Sequence, residues 1–433
     1  MADLLIENGL VLTMNKEGTI IKNGFVLIED GKISQIGKGS IKLKADEIID
    51  ARGKIVMPGF VCAHTHFSRI LAQGTSLGNS NIFRMKNLWH KIDESLSKNE
   101  LWTCVSASCL QYLHNGVTFV AGVLPGSNPS AGILGRILSK IQEIGIRVGL
   151  SVLADEQHGK LKGAHGMREN EKLIKKIRKK RHQNVVGFVS VKLDPSTSEE
   201  LLKYGKEISQ RYRVPFLLHS EDSRLLREVS YQKYGENPLI KLFELGVLRQ
   251  GTILAHCIPI NGEELKLLKN NETKLGYTIA DVSEAIRLEW IVSENVPVSL
   301  GDDGLLPDLL GLLKTVYLMT KLSSLGLTLK TSQLLEMATK NGAEMYGVNT
   351  GILEKGKAAD IVILDHSHMP APLRPAWITD QIVGNFDGRF VDTVIVDGRI
   401  VKRDGKVLSI DEEKTIEEYQ KIAEEVWDRV GGG

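Results

Sequence analysis

The chain has 433 residues, 42% hydrophobic and 25% charged, enough for a barrel of about 250 residues with a second unit beside it. Lysine plus arginine exceeds aspartate plus glutamate by 55 − 53 = +2, so bulk charge gives nucleic acid or an anionic membrane nothing to recognise. No window reaches the roughly 18 uninterrupted apolar residues of a membrane helix, and the four cysteines, Cys62, Cys104, Cys109 and Cys257, form no CxxC pair that would suggest a zinc knuckle or disulfide framework.

The N-terminal "MADLLIENGL" has an acid near its start and lacks the basic region and long apolar stretch of a signal peptide, which with reduced thiols leads us to expect a cytoplasmic protein. "LLIENGLVLTM", "GFVLIEDGKISQIG" and "DEIIDARGKIVMPGF" alternate apolar and polar residues around Asn-Gly and Asp-Gly turns, and read as short strands. "GKAADIVILD" and "DTVIVDGRIVKRDGKVL" near the other end have the same pattern. Neither end can close a core alone. The economical solution is one composite β-sandwich from residues 1–58 and 350–433, with a catalytic domain, 59–349, inserted between them.

That insert alternates differently. After "VCAHTHFSRI" (61–70), β-branched runs follow at "TFVAG" (118–122), "RVGLSVLA" (147–154), "VGFVSVKL" (186–193), "VPFLLHS" (214–220), "TILAHC" (252–257) and "PVSLGDDG" (297–304). Helix-like segments separate them, such as "STSEELLKYGKEISQRY" (196–212), where Ser/Thr followed by Glu marks an N-terminus. Repeated strand–helix units predict an α/β fold, a (β/α)8 TIM-like barrel with its helices outside. The basic run "KKIRKKRH" (175–182) has no aromatic residues interleaved and reads as a solvated helix face. The apolar "LLPDLLGLLKTVYLM" (305–319) and the amphipathic tail 411–430 read as packing elements.

The polar residues that interrupt the barrel strands cluster at their carboxyl ends, which in such a barrel meet around one mouth. Residues two apart on an extended segment share a side, so His64 and His66 can aim both imidazoles inward. His219 and Asp303 end two further strands, and together these four would hold a metal ion with a position left for water. The ion would lower the pKa of that water toward neutrality. His256 could orient or deprotonate it, and a carboxylate near His219 could carry the proton to the leaving group. A lone histidine at a strand end is more often structural, and Asp303 alone could be a turn residue. Five such residues in order, each at a strand end of one barrel, argue for the metal.

With these residues in view, the sequence resembles the amidohydrolase superfamily, in its chlorohydrolase and aminohydrolase branch. The similarity runs through "GKIVMPGFVCAHTHF", "LAHCIPINGEEL", "VSLGDDG", the "ATKNGAEMYG" helix (338–347) and "GILEKGKAADIVILD", and within "MKNLWHKIDESLSKNELW" (85–102) it is greatest to aminohydrolases of the SsnA type. The resemblance implies a (β/α)8 barrel with a composite sandwich, and one divalent metal ion per subunit, zinc before iron or manganese. It implies His64, His66, His219 and Asp303 as ligands, and His256 as the group that meets water or substrate. Asp302 takes the position of a family threonine and is expected to be structural. The implied partner is a small-molecule substrate, with homo-oligomers common in the family.

Two departures stand out. The family's proton-carrying glutamate lies three residues after the third metal histidine, whereas "HSED" puts Asp222 there and Glu221 one residue earlier; the longer Glu221 is the preferred candidate. The element before the last barrel strand is shortened in "KLGYTIADVSEAIRLEW" (274–290), and the loop "KLDPSTS" (192–198) lacks the family's histidine, so aminopurine specificity does not carry over. Three readings follow. The first is a metal-dependent aminohydrolase of a small nitrogen heterocycle. The second is a two-metal amidase or cyclic-amide hydrolase in which Lys192, carboxylated, bridges the ions. The third is a binding or assembly subunit that has lost catalysis, which the intact ligand set opposes, because unused polar groups at the mouth would be costly.

Overall fold

The computed structural model describes residues 2–41, 44–74, 82–126, 132–180, 184–220, 224–256, 260–279, 288–322 and 329–431. Strands β1 (Ala2–Leu12), β2 (Ile20–Glu29), β3 (Lys32–Lys38), β4 (Ala45–Asp50) and β5 (Lys54–Pro58) come from the N-terminal end. They share one nine-stranded sheet with four strands from the other end: β15 (Ile361–Asp365), β16 (Val391–Val396), β17 (Arg399–Arg403) and β18 (Lys406–Val407). The junction is the antiparallel pairing of β15 with β5, from Ile361 opposite Pro58 to Asp365 opposite Lys54. Leu4, Ile6, Val26, Ile28, Val56 and Ile363 are buried together in the resulting sandwich core. Both chain ends therefore complete one hydrophobic unit that neither contains alone.

The second sheet is the barrel. In chain order it comprises β6 (Phe60–His66), β7 (Val117–Leu124), β8 (Arg147–Ala154), β9 (Val185–Gly187), β10 (Val189–Lys192), β11 (Phe216–His219), β12 (Thr252–Ala255), β13 (Lys274–Tyr277) and β14 (Val298–Leu300). Strands β9 and β10 both pair with β8 and are interrupted only at Phe188, so they act as one barrel strand. Closure is made by the chain leaving β14, where the amides of Asp302 and Asp303 donate to the carbonyl of His64 at 3.1 and 3.2 Å. The parallel order and the helices between strands match the barrel expected from the sequence. Strand β13, "KLGY", lies in the stretch where the sequence reading placed no strand.

Inside the barrel Val61, Ala63, Phe119, Ala121, Phe188, Leu217 and Ile253 form one core. Burying each large side chain there stabilises the fold by about 1.5–3 kcal/mol. Tyr346, on the helix Lys340–Tyr346, seals the amino-terminal end: its ring packs 5.5 Å from Phe119 and 5.3 Å from Phe188, and its hydroxyl donates to the carbonyl of Ala63. Only the opposite end, at the carboxyl termini of the strands, is left for chemistry. The C-terminal helix Glu412–Val430 packs near that end. Its Trp427 indole N–H donates to the carbonyl of Leu71, and the Tyr419 hydroxyl to that of Ile70. Among the described residues, no helix is long and apolar enough to cross a membrane.

Candidate metal centre

Strand β6 does more than alternate. Its pairing with β7 runs Cys62 to Val120 and then Thr65 to Gly122, so one extra residue is inserted between them. This bulge changes the phase of the strand. Val61 and Ala63 pack in the inner core before it, whereas after it Thr65 shares a 2.6 Å hydrogen bond with Tyr112 on the outer helix Lys98–His114. His64 and His66 consequently both face the mouth, buried to 0% and 3% exposure.

The remaining members arrive from strand ends. His219 is the last residue of β11, His256 follows β12, and Asp303 lies three residues beyond the end of β14. His256 and Asp303 hold left-handed backbone conformations, φ 68° and 59°, which non-glycine residues adopt sparingly. These turns direct both side chains to the barrel axis. The glycines of "GDDG" have a steric cause: a Cβ on Gly301 would lie 2.7 Å from the His64 carbonyl oxygen, and one on Gly304 would collide with that of His66. Only glycine lets the end of β14 approach β6 so closely.

The five residues expected from the sequence converge. Asp303 Oδ1 lies 3.3 Å from His64 Nε2 and 3.7 Å from both His66 Nε2 and His256 Nε2. His66 Nε2 and His219 Nε2 are 2.7 Å apart. Ligand atoms of His64, His219, His256 and Asp303 all fall within 4.8 Å of one another, so His256 sits as near this centre as the expected ligands. Burial, reinforced by Arg69 around His66 and by His64 around His219, holds both imidazoles well below their ordinary pKa. They are neutral, as metal ligands must be. Burial raises the Asp303 carboxyl, but Arg69 and the imidazoles outweigh it and keep it well below the usual carboxylate range.

The donor set fits a divalent cation. Among the described residues, His64 Nδ1 and Nε2 and Asp303 Oδ1 are buried without a hydrogen-bond partner, a costly arrangement unless an ion takes up those lone pairs. Imidazole nitrogens with one carboxylate oxygen suit zinc, and also iron or manganese. The cluster is a candidate site for one divalent metal ion.

Outside the ligands, Thr278 Oγ1 shares a 2.7 Å hydrogen bond with His256 Nδ1 and fixes that ring. Asp302 faces away from the centre, as expected of a structural residue. The Tyr112 hydroxyl donates to its Oδ1 and Oδ2 at 2.9 and 2.8 Å, the Cys62 thiol to Oδ1 at 3.3 Å, and the Gly304 amide to Oδ1 at 3.1 Å. Burial raises its pKa against these bonds.

Sequence reasoning missed Arg69. It stands three residues after His66 on the short helical turn Phe67–Ala72, where one turn returns a side chain toward the mouth. Its guanidinium donates to Asp303 Oδ2 and lies 4.1 Å over the Trp89 ring. The arginine in "HTHFSRI" was the available signal. Glu221 and Asp222, the candidate proton carriers, lie outside the described residues, as do Cys257 and residues 280–287 of the shortened segment.

A cavity of about 470 Å³ opens beside the centre, lined by His66, His219, Arg69, Trp89 and Lys192 among others. Lys192 pairs with His219 in the register of β10 with β11. Its Nζ lies 2.8 Å from Gln157 Oε1, 3.2 Å from His90 Nε2 and 3.3 Å from Asp155 Oδ2.

Comparison with known proteins agrees with this geometry. The sequence profile of the amidohydrolase family matches residues 55–401. The chain is 30% identical to a 5'-deoxyadenosine deaminase of Methanosarcina mazei, over 99% of this chain and 100% of the relative. It is 28% identical to a 5-methylthioadenosine/S-adenosylhomocysteine deaminase of Pyrococcus furiosus, over 97% and 100%. Among solved structures, an adenosine deaminase from Xanthomonas campestris with bound zinc superposes with a TM-score of 0.87 at 17% identity, over 99% of both chains.

Proposed function

This chain belongs to the amidohydrolase family, and from that premise we propose that it removes ammonia from a ring carbon of a small nitrogen heterocycle, with His64, His66, His219 and Asp303 holding one zinc ion. It is a metal-dependent hydrolase of carbon–nitrogen bonds other than peptide bonds. The observation that carries the reading is the Asp303 carboxylate: Oδ1 is buried without a donor among the described residues and faces three imidazole nitrogens at 3.3 to 3.7 Å.

When bound, the ion supplies a water acidic enough to attack near neutral pH. Asp303 and His256, whose ring Thr278 orients, receive and hold the proton that this water loses. Glu221, or Asp222 beside it, passes a proton to the departing nitrogen. The C–O bond forms, the C–N bond breaks, and ammonia leaves. Tyr346 and the packed barrel core close the far end, so reactants enter and leave through the cavity beside Arg69 and Lys192.

The relatives make 5'-deoxyadenosine and 5'-methylthioadenosine the first substrates to try. The loop that Lys192 opens lacks the family's histidine, which argues for extending the panel to pterins and to pyrimidines, 5-carboxycytosine among them. The two-metal reading is disfavoured because the Lys192 amine is taken up by Asp155, Gln157 and His90. A homo-oligomer remains part of the proposal, to be checked by light scattering. The decisive test is ammonia release by zinc-loaded protein across that panel, with chelated protein and His256→Ala as controls. Turnover that both controls abolish supports the reading, whereas zinc-loaded protein inert on every compound rejects it.

A further inference from the structure

Arg69 is the charged group that this account of turnover leaves unused. One of its nitrogens is spent on Asp303 Oδ2, and the guanidinium lies 4.1 Å over the Trp89 ring. Its Nε is buried and meets no acceptor among the described residues, although the side chain lines the 470 Å³ cavity. The other cation of that cavity is already answered, since Lys192 Nζ lies 3.3 Å from Asp155 Oδ2 and 3.6 Å from Asp194 Oδ2. The nearest counter-charge of Arg69, by contrast, is the carboxylate whose other oxygen faces the metal position. An ion held by Asp303 draws on that same negative charge and leaves the guanidinium under-compensated. Asp93, buried in the same wall, is the other acid facing Arg69 among the described residues; burial pushes its pKa up to about 6, which weakens it as a permanent counter-ion.

We propose that Arg69, held on Trp89, is a specificity-determining residue that binds a carboxylate carried by the substrate on a ring atom next to the carbon that loses its amine. A guanidinium presents its donors as a planar fork, and a carboxylate is the planar two-oxygen acceptor that matches it. Asp303 fixes where the group must lie: one of its oxygens faces the metal position and Arg69 touches the other, so a group that Arg69 holds lies next to that position. The inference names the substrate class of the proposed deaminase site, and so rests on that reading.

The test is a binding measurement on zinc-loaded protein, which reads Arg69 whether or not the ligand turns over. Titration calorimetry with 5-carboxycytosine and with 5-methylcytosine compares a carboxylate with a neutral group of similar placement beside an amine-bearing carbon. The carboxylate should bind at least tenfold more tightly to the wild type. Arg69→Met should reduce that preference below twofold with zinc retained, and Arg69→Lys, which keeps the charge for Asp303 but lacks the fork, should retain zinc and lose most of the preference. Equal affinities, no binding of either compound, or an undiminished preference in Arg69→Met would overturn the proposal. So would zinc loss in both variants, because Arg69 would then be only a clamp for Asp303. A failed ammonia assay with an intact carboxylate preference would reject the deaminase reading alone.

Discussion

The Nε2 atoms of His66 and His219 lie 2.7 Å apart although 153 residues separate them in the chain. Both rings are held neutral, so their tautomers decide whether one Nε2–H donates to the other or both lone pairs turn to an ion. We expect His66→Ala or His219→Ala to lower zinc from about one equivalent per subunit to below about 0.1, with activity reduced at least ~1,000-fold, because neither the ion nor its activated water would remain. Elemental analysis after gel filtration checks this. Full zinc in either variant would remove that histidine from the ligand set.

Acid should destabilise the fold before it protonates most carboxylates. Burial lowers the pKa of His66, His90, His114 and His219, that of His90 to about 4. Each binds a proton in the unfolded chain near pH 6.5 but resists one when folded, so stability present above about pH 6.5 is lost as pH falls. Asp93 opposes them: its raised pKa, about 6, adds stability as pH falls from about 6 toward 4. Asp302, which burial also raises, acts in the same sense as Asp93, and four histidines against two aspartates give a net loss, read as a lower Tm at pH 5 than at pH 7. His90→Gln should flatten the curve; a Tm that rises on acidification would contradict the balance.

The residues legible in the sequence were those governed by short periods. His64 and His66 were readable because a strand repeats every two residues, and His219, His256 and Asp303 because each interrupts an apolar run at a strand end. The bulge between Cys62 and Thr65 was not, since it appears only in the register with β7. Strand β13 escaped because "KLGY" contains a lysine and a glycine and no β-branched residue. Partners distant in sequence were also hidden: Tyr112 meets Asp302 across 190 residues, and Arg69 meets Asp303 across 234.

The Tyr112 hydroxyl is the main neutral donor to the buried Asp302 carboxylate, at 2.9 and 2.8 Å. Tyr112→Phe leaves that carboxylate under-bonded and should cost about 1–3 kcal/mol. Asp302 and Asp303 amides both hold the His64 carbonyl, so the disturbance should reach the ligands and weaken zinc binding about 10- to 100-fold. Chemical denaturation and competition with a chelator measure the two effects separately. Unchanged zinc affinity would make Tyr112 a packing residue only.

Arg147 opens β8 and grips Asp360, just before β15, through two bonds of 2.9 and 3.0 Å, with Asp360 fully buried. The pair joins barrel to sandwich far from the metal centre. Asp360→Ala would take the buried counter-charge from Arg147 and leave it Asp397, at 3.3 Å, and should destabilise the protein by about 3 kcal/mol. Zinc per folded subunit should stay unchanged. A loss of zinc without loss of stability would mean that the two sheets communicate with the ligands in some other way.

Lys192 separates one-metal from two-metal chemistry. A carboxylated bridging lysine must share its metal with the histidines, yet Nζ is engaged by Asp155, Gln157 and His90 while His66 and His219 turn to each other. Lys192→Ala should therefore leave zinc at about one equivalent. It should still matter to the substrate, because the side chain lines the cavity and its removal leaves Asp155 and Asp194 unpaired there. A KM raised about tenfold, with kcat changed less, is the expected signature of a lost contact made equally in ground and transition states. If zinc instead fell from two equivalents to one in Lys192→Ala, the amine would be a ligand and the one-metal centre would have to be redrawn around it.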